Sequence, residues 1–291
     1  RGMDNGKDDY NLVEMNQADV ESIGLTLSLF NRRFEFNTTQ SEFDGSVIAL
    51  RDRDGNLINS LDPPYRFGGK DFHYSLKLDL TDDYLDPRKG ARFDLKYQNV
   101  PGQTLNDPDY FRVDTGLSFY LPFRQNDTLA LNYYRSDAHV TRIGNVDPAS
   151  IRAELGSNCL PTDTTCLVAE EELVNNFINE RTYGTATSLG GDNRLRAYPQ
   201  GRFSGGHMAF AGAEYRWNFV QDAKPFDYFI WKDVTTTLQL ALFAEAGTVA
   251  EHAANLWDDY RTSYGVSGRL VSASGSVYRA EIAHGDEGSQ F

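Results

Sequence analysis

The sequence lacks long apolar runs. Nowhere in its 291 residues do about 18–20 consecutive apolar residues occur, the length that a membrane-spanning helix requires. Basic residues are also scarce: 28 Lys and Arg stand against 42 Asp and Glu, a formal net charge of −14. Such a chain repels phosphate, which argues against nucleic acid as a partner. The 40% hydrophobic content argues against disorder, because it is enough to bury a core.

Cysteine is almost absent. The two cysteines, Cys159 and Cys166, lie close together in a polar stretch. A disulfide that closes a short loop suits an oxidising compartment, and we predict one here, with two unrelated thiols as the alternative. The five histidines are scattered and form no zinc pattern, so no metal site is expected.

Sequence signatures of catalysis are also missing. The chain has no Gly-x-Ser-x-Gly elbow, no His-Glu-x-x-His motif and no P-loop. Its paired aspartates lie in turn-like segments, where Asp is common for local reasons. The sequence therefore predicts a protein that is not an enzyme and needs no cofactor.

What is present is alternation of apolar and polar residues, the pattern of half-buried β-strands. About ten segments show it, most of them 8–12 residues long, which matches the roughly 9–11 residues of a strand that crosses a bilayer. The regular segments are 74–80, 91–98, 111–121, 129–134, 211–219, 238–245, 264–270 and 278–282, and the less regular ones are 23–36 and 47–51.

The two faces of these strands favour a membrane protein. The polar face carries acidic and basic residues on strand after strand. The apolar face consists of Leu, Tyr, Phe and Ala, with aromatics near strand ends, rather than the Val and Ile usual in soluble sheets. This composition is typical of a transmembrane β-barrel with a polar lumen and aromatic girdles. A soluble sandwich or a lipocalin-like barrel is the alternative.

One long interruption, residues 144–206, separates the strands. It contains the cysteine pair and a helix-like stretch at 167–180. Outer-membrane barrels have short periplasmic turns and long extracellular loops, and a loop of this length is usually functional. For residues 151–182 alone, a surface decoration is the better interpretation.

Four motifs occur in a fixed order. Pro87 and Gly90 follow a strand that ends in aspartates; Gly190 and Gly191 precede Arg196-Ala197-Tyr198; Glu214 and Glu245 lie on the two strands after them. From about residue 72 to residue 291, this set resembles the carboxy-terminal outer-membrane β-barrel of the BamA/TamA (bacterial surface antigen) superfamily. Ala197 departs from the family's Arg-Gly-Tyr/Phe, and Gly permits backbone shapes that Ala avoids.

The resemblance implies a fold. It implies an all-β, transmembrane antiparallel β-barrel of about sixteen strands, more than are visible here. Residues 1–291 would then be a single barrel domain and a fragment, without the N-terminal strands and the last strand. Residues 144–206 would be a long extracellular loop that folds inward.

The resemblance also implies a function in the bacterial outer membrane. Family members insert or translocate other proteins there. Expected partners are outer-membrane lipids and lipopolysaccharide, unfolded outer-membrane or secreted proteins, and periplasmic accessory domains or lipoproteins. The alternatives are a translocator barrel for a fused, lipase-type passenger domain, and a passive pore.

A loop–barrel lock is the specific expectation for the site. The alternation places Glu214 and Glu245 on the polar face of their strands. By the resemblance, Arg196 and Tyr198 fold back into the barrel, and Arg196 meets both acids. A guanidinium matches carboxylate geometry and resists separation once it is partly desolvated. The alternative is a solvated Arg196.

Overall fold

Strands dominate the fold. The structure, a computed structural model, describes residues 12–16, 19–52, 54–124, 126–156, 159–219, 226–228, 231–234, 236–272 and 277–291. In chain order the strands are β1 (Leu12–Met15), β2 (Asp19–Leu29), β3 (Phe34–Arg51), β4 (Leu57–Asp79), β5 (Gly90–Val100), β6 (Asp109–Phe123), β7 (Asp127–Arg142), β8 (His207–Asn218), β9 (Phe226–Tyr228), β10 (Trp231–Val234), β11 (Thr236–Ala250), β12 (Arg261–Ser272), β13 (Val277–Gly285) and β14 (Gly288–Gln290).

Twelve of these strands form one antiparallel sheet. From β3 onward each strand pairs with the next along the chain, except that β8 pairs with β11 because β9 and β10 form their own hairpin. At one end of the sheet, β1 and β2 both pair with β3. The all-β, antiparallel fold class predicted from alternation is confirmed.

The sheet exposes apolar side chains on one face and buries polar side chains on the other, the reverse of a sheet in a water-soluble domain. One face, here called the outer face, exposes apolar side chains: Ile23 and Leu25 are each 76% exposed. The opposite, inner face buries polar ones. Outer-face examples are Leu78, Phe119, Trp217, Leu242, Tyr264 and Ile282; inner-face examples are Asp79, Asp114, Glu214, Gln239, Glu245 and Arg269. This distribution suits lipid outside and polar contacts inside.

Most predicted strands are found in place, and one is corrected. Each of the eight regular segments falls in a strand to within one residue. The segment 23–36 is not one strand, because a turn at 30–33 separates β2 from β3. Phe30, Asn31 and Arg32 there adopt left-handed φ values of 55°, 54° and 66°. The segment 47–51 is the end of β3.

Two helices lie between β7 and β8. They are α1 (Pro148–Leu155) and α2 (Thr164–Tyr183), each begun by an aspartate side chain that accepts a backbone N–H: Asp147 from Ser150 and Asp163 from Cys166. The helix expected at 167–180 therefore extends at both ends, and α1 was not predicted. No helix within the described ranges has the length and apolarity needed to cross a membrane.

The helix pair packs against β4 and β7 of the sheet. Ile151, Leu155 and Val174 form a small core that also contacts Tyr65 of β4. The structure joins Cys159 to Cys166 in a disulfide at the start of α2. This part of the 144–206 loop is thus a folded unit of its own.

Candidate functional site

The second half of the long loop lies against the inner face. Leu189 and Phe203 exchange backbone hydrogen bonds of 2.8 and 3.0 Å, which close the segment between them into a compact loop. Gly190 and Gly191 turn the chain with φ of 103° and 105°. A Cβ on Gly190 would lie 2.2 Å from the Pro199 carbonyl, so both conformation and space require glycine here.

Apolar side chains dock this loop on the sheet. A buried cluster joins residues of the loop to residues of β8, β11 and β13. Its members are Ala186, Leu189, Leu195, Ala197, Tyr198 and Phe203 from the loop, and Met208, Phe210, Phe243, Val249 and Ala283 from the strands. Burial of this many side chains fixes the loop on the inner face, as the inward-folding prediction required.

Arg196 extends from this loop into a set of three carboxylates. Its Nε lies 2.8 Å from Glu245, and its Nη1 lies 3.1 Å from Glu214 and 3.0 Å from Glu281. Its backbone N–H also donates to Glu245 at 2.9 Å. The three acids lie on β11, β8 and β13, so one guanidinium connects three strands to the loop.

The environment of Arg196 favours a fixed positive charge. Its side chain is only 6% exposed, and its guanidinium carbon lies 3.4 Å from the centre of the Phe243 ring. Burial alone would lower the pKa of Arg196, but the charges of Glu245, Glu214 and Glu281 outweigh it and raise that pKa above its usual value. The contact is therefore charged on the arginine side at any physiological pH.

The two residues after Arg196 continue the attachment. The Ala197 N–H donates to Ser263 of β12 at 3.0 Å. The Tyr198 hydroxyl donates to the Thr262 carbonyl at 3.2 Å and accepts the Asp286 N–H at 3.1 Å. Burial raises the pKa of Tyr198 to about 12, so this hydroxyl keeps its proton.

Alanine at position 197 is accommodated without a left-handed backbone. The left-handed residue of this segment is Leu195, with φ of 54°, and Ala197 does not share that conformation. Space for the Ala197 methyl comes from Gly285 of β13, where an added Cβ would lie 3.0 Å from it.

The sequence reasoning missed two partners of Arg196 and one further ion pair of the loop. Glu281 alternates onto the polar face of its strand, the same signal that singled out Glu214 and Glu245. Phe243, two residues before Glu245, alternates onto that face as well. Arg202 makes a two-pronged contact with Glu287, with N···O distances of 2.9–3.1 Å, and no sequence pattern pointed to it.

The motif with Pro87 and Gly90 lies elsewhere. Pro87 lies in the turn between β4 and β5, and Gly90 is the first residue of β5, at the opposite end of the strands from the 144–206 loop. Gly90 has φ of 113°, and a Cβ there would lie 2.3 Å from the Leu80 carbonyl. Pro87 is buried. The structure does not bring them to Arg196.

A polar cavity adjoins the contact of Arg196 with Glu214, Glu245 and Glu281, from here on called the lock. Its volume is about 510 Å³, and its walls include Asn132, Arg196, Glu214, Arg216, Glu245 and Arg269. Among the residues that the structure describes, no group of three or more His, Cys, Asp or Glu side chains is arranged to hold a metal ion.

Comparison with known proteins gives one family match. The family model described as the Omp85 superfamily domain matches residues 7–278. No curated protein matches the chain. A solved structure that resembles it is the crystal structure of BamA from Haemophilus ducreyi lacking POTRA domains 1–3, with 11% sequence identity and a TM-score of 0.48. That match covers 92% of this chain and 50% of the crystallised chain, so the chain spans half the length of that crystallised chain.

Proposed function

The chain belongs to the Omp85 superfamily, and on that premise we propose that it inserts other proteins into the bacterial outer membrane or translocates them across it. Membership confirms the family prediction made from the ordered motifs, and it places the chain in the bacterial outer membrane. The apolar outer face of the sheet agrees with that location.

The observation that carries the proposal is the attachment of Arg196 to three strands. A loop held this firmly on the inner face sets the positions of β8, β11 and β13 relative to one another. An incoming chain can pair with an exposed strand edge through main-chain hydrogen bonds, and side-chain alternation sets the register of such pairing. The lock therefore supports a role for this wall in handling other polypeptides.

The proposed partners follow from this role. Unfolded outer-membrane or secreted proteins are the proposed substrates, with periplasmic accessory domains or lipoproteins delivering them and lipopolysaccharide and lipids surrounding the barrel. The proposed activity moves a polypeptide without making or breaking a covalent bond, so it calls for no catalytic residue and no cofactor.

A passive pore is the competing function, and a passenger translocator is a narrower form of the proposal. The docked loop opposes the pore, because it occupies the inner face where solutes would pass. A large, constant conductance of the wild-type protein in planar bilayers would favour the pore.

Reconstitution tests the proposal directly. The purified protein is placed in liposomes, a urea-unfolded outer-membrane protein is added, and its folding is followed by heat-modifiable gel migration. We expect faster folding than in empty liposomes, and slower folding when the protein carries Arg196→Ala. Asp54→Ala, in an exposed turn away from the lock, is the matched control. Folding rates equal to those in empty liposomes would refute the proposal.

A further inference from the structure

The turn between β4 and β5, residues 80–89, reaches strands that are not its neighbours. Four strands, β5 to β8, separate β4 from β11 in the sheet. Even so, the Gln239 side chain of β11 donates to an Asp86 carboxylate oxygen at 2.7 Å. The turn therefore crosses the inner face from one wall to another.

The contact at Asp86 continues into β12. Arg269 Nη1 donates to the side-chain amide oxygen Oε1 of Gln239 at 3.0 Å and lies 3.8 Å from the other Asp86 carboxylate oxygen. That distance permits an ion pair but no hydrogen bond. Asp86, Gln239 and Arg269 are 8%, 2% and 8% exposed, so the contact excludes most solvent.

The turn is shaped before it reaches across. The Asp82 side chain accepts the N–H groups of Arg88 and Lys89 at 2.9 and 3.0 Å. The Asp83 side chain accepts the N–H groups of Leu85 and Asp86, both at 2.8 Å. Side chains that hold the backbone in this way make the turn a rigid support rather than a loose connection.

This contact and the Arg196 lock lie at opposite ends of one cavity. Arg196 and Arg269 both line the 510 Å³ cavity. The 144–206 loop meets it from the end where β7 finishes and β8 starts, whereas the β4–β5 turn lies at the end where β7 and β11 start. Two connecting segments thus bridge the inner face, the 144–206 loop at one end of the strands and the β4–β5 turn at the other.

We propose that the β4–β5 turn is a second lock, which closes the end of the interior opposite the Arg196 loop. Asp86 is its positioning residue: it holds the turn against β11 through Gln239 and faces Arg269 of β12. The inference rests on the chain crossing the outer membrane, and it is independent of which proteins the barrel handles.

Ion conductance in planar bilayers tests the proposed seal. We expect the purified protein with Asp86→Ala to conduct several-fold more than wild type. Asp86→Asn keeps an acceptor for Gln239 and should fall between them. Asp54→Ala, in an exposed turn at the other end of the strands, should match wild type. Heat-modifiable migration identifies the folded fraction, and folded Asp86→Ala with wild-type conductance would overturn the proposal.

A cross-link provides a test that does not rely on losing a contact. Both native cysteines are held in the disulfide, so an introduced pair supplies the free thiols. We expect Asp86→Cys with Gln239→Cys to be joined by a short, reducible thiol cross-linker in the folded protein, and conductance to stay low until reductant is added. Asp54→Cys with Gln239→Cys should not be joined. Failure of the first pair to cross-link in folded protein would contradict the proposed contact.

Discussion

Replacing Arg196 with alanine is the most informative perturbation of the lock. The change leaves Glu245, which is 4% exposed on its side chain, facing a cavity without its cation. Glu214 keeps a second partner, because Arg216 lies 2.7 Å from it. Glu281 keeps a second partner as well, because Arg279 Nε lies 3.2 Å from its carboxylate. The loss therefore falls chiefly on Glu245.

The expected magnitude follows from breaking a buried ion pair by removing one partner, about 3–5 kcal/mol. Such a loss raises the opening equilibrium of the loop by about two to three and a half orders of magnitude. Glu245→Gln keeps the side-chain shape and the acceptor for the Arg196 N–H, so it should lower the opening free energy of the loop by about 1.5–3 kcal/mol. In the double variant, the loss of opening free energy should be smaller than the sum of the two single losses, because both changes remove the same interaction.

Hydrogen exchange of the loop measures this directly. The N–H groups of Arg196 and Ala197 donate to Glu245 and Ser263, so both exchange only when the loop leaves the inner face. Mass spectrometry of the loop peptide, with the protein in detergent micelles, reports the opening free energy of each variant. Arg194→Ala is the matched control: Arg194 lies in the same loop and stacks on Tyr134 at 4.1 Å. Arg194→Ala should lower the opening free energy of the loop by only about 0.5–1 kcal/mol.

Unchanged loop exchange in folded Arg196→Ala would refute the reasoning. It would mean that apolar packing alone holds the loop and that the three carboxylates tolerate one another without a cation. Equal losses for Arg194→Ala and Arg196→Ala would refute it as well, since the effect would then not depend on the ion pairs.

Three further changes test other parts of the structure. Gly285→Val crowds Ala197, so loop exchange should accelerate, and a wild-type rate would show that β13 yields. Asp82 is held ionised by backbone N–H groups, which outweigh burial and lower its pKa. The contribution of Asp82 to the free energy of unfolding should therefore be constant above about pH 4 and be lost as pH falls through the lowered pKa. The unfolding free energy, measured across acid pH, should show this loss in wild type and not in Asp82→Asn. Cys159→Ser with Cys166→Ser should destabilise the helix pair by about 2–3 kcal/mol in denaturant unfolding, while loop exchange stays unchanged.

Alternation predicts most of this sheet because the inner and outer faces differ so strongly. It wrongly joins β2 to β3, divides β3 by setting 47–51 apart, and misses the short strands β1, β9, β10 and β14. The first error lies where the pattern changes phase: Ile23, Leu25 and Leu29 are odd-numbered, whereas Phe34 and Phe36 are even-numbered. A shift of one residue moves every side chain to the other face, so a turn was needed there. Read in this way, the sequence does contain the signal for the turn at 30–33.

The site is predictable only in part. Arg196, Glu214 and Glu245 are named by motifs, and the structure brings them together. The Asp86–Gln239 contact joins residues that are 153 positions apart, and it depends on how far the sheet curves, which no local pattern encodes. The fold of α1 likewise depends on packing against Tyr65 rather than on periodicity.

The length of β4 has a practical consequence. Its 23 residues exceed the roughly 9–11 that a strand needs to cross a bilayer, so about 12–14 residues, some 40–45 Å of strand, stand clear of the lipid. The exposed turn at Asp54 and Gly55 is the tip of this projection, and it lies at the same end of the strands as the helix pair. On the prediction that the 144–206 loop is extracellular, a peptide tag inserted there would be displayed on intact cells, and antibody staining would test that sidedness without touching the membrane-embedded part.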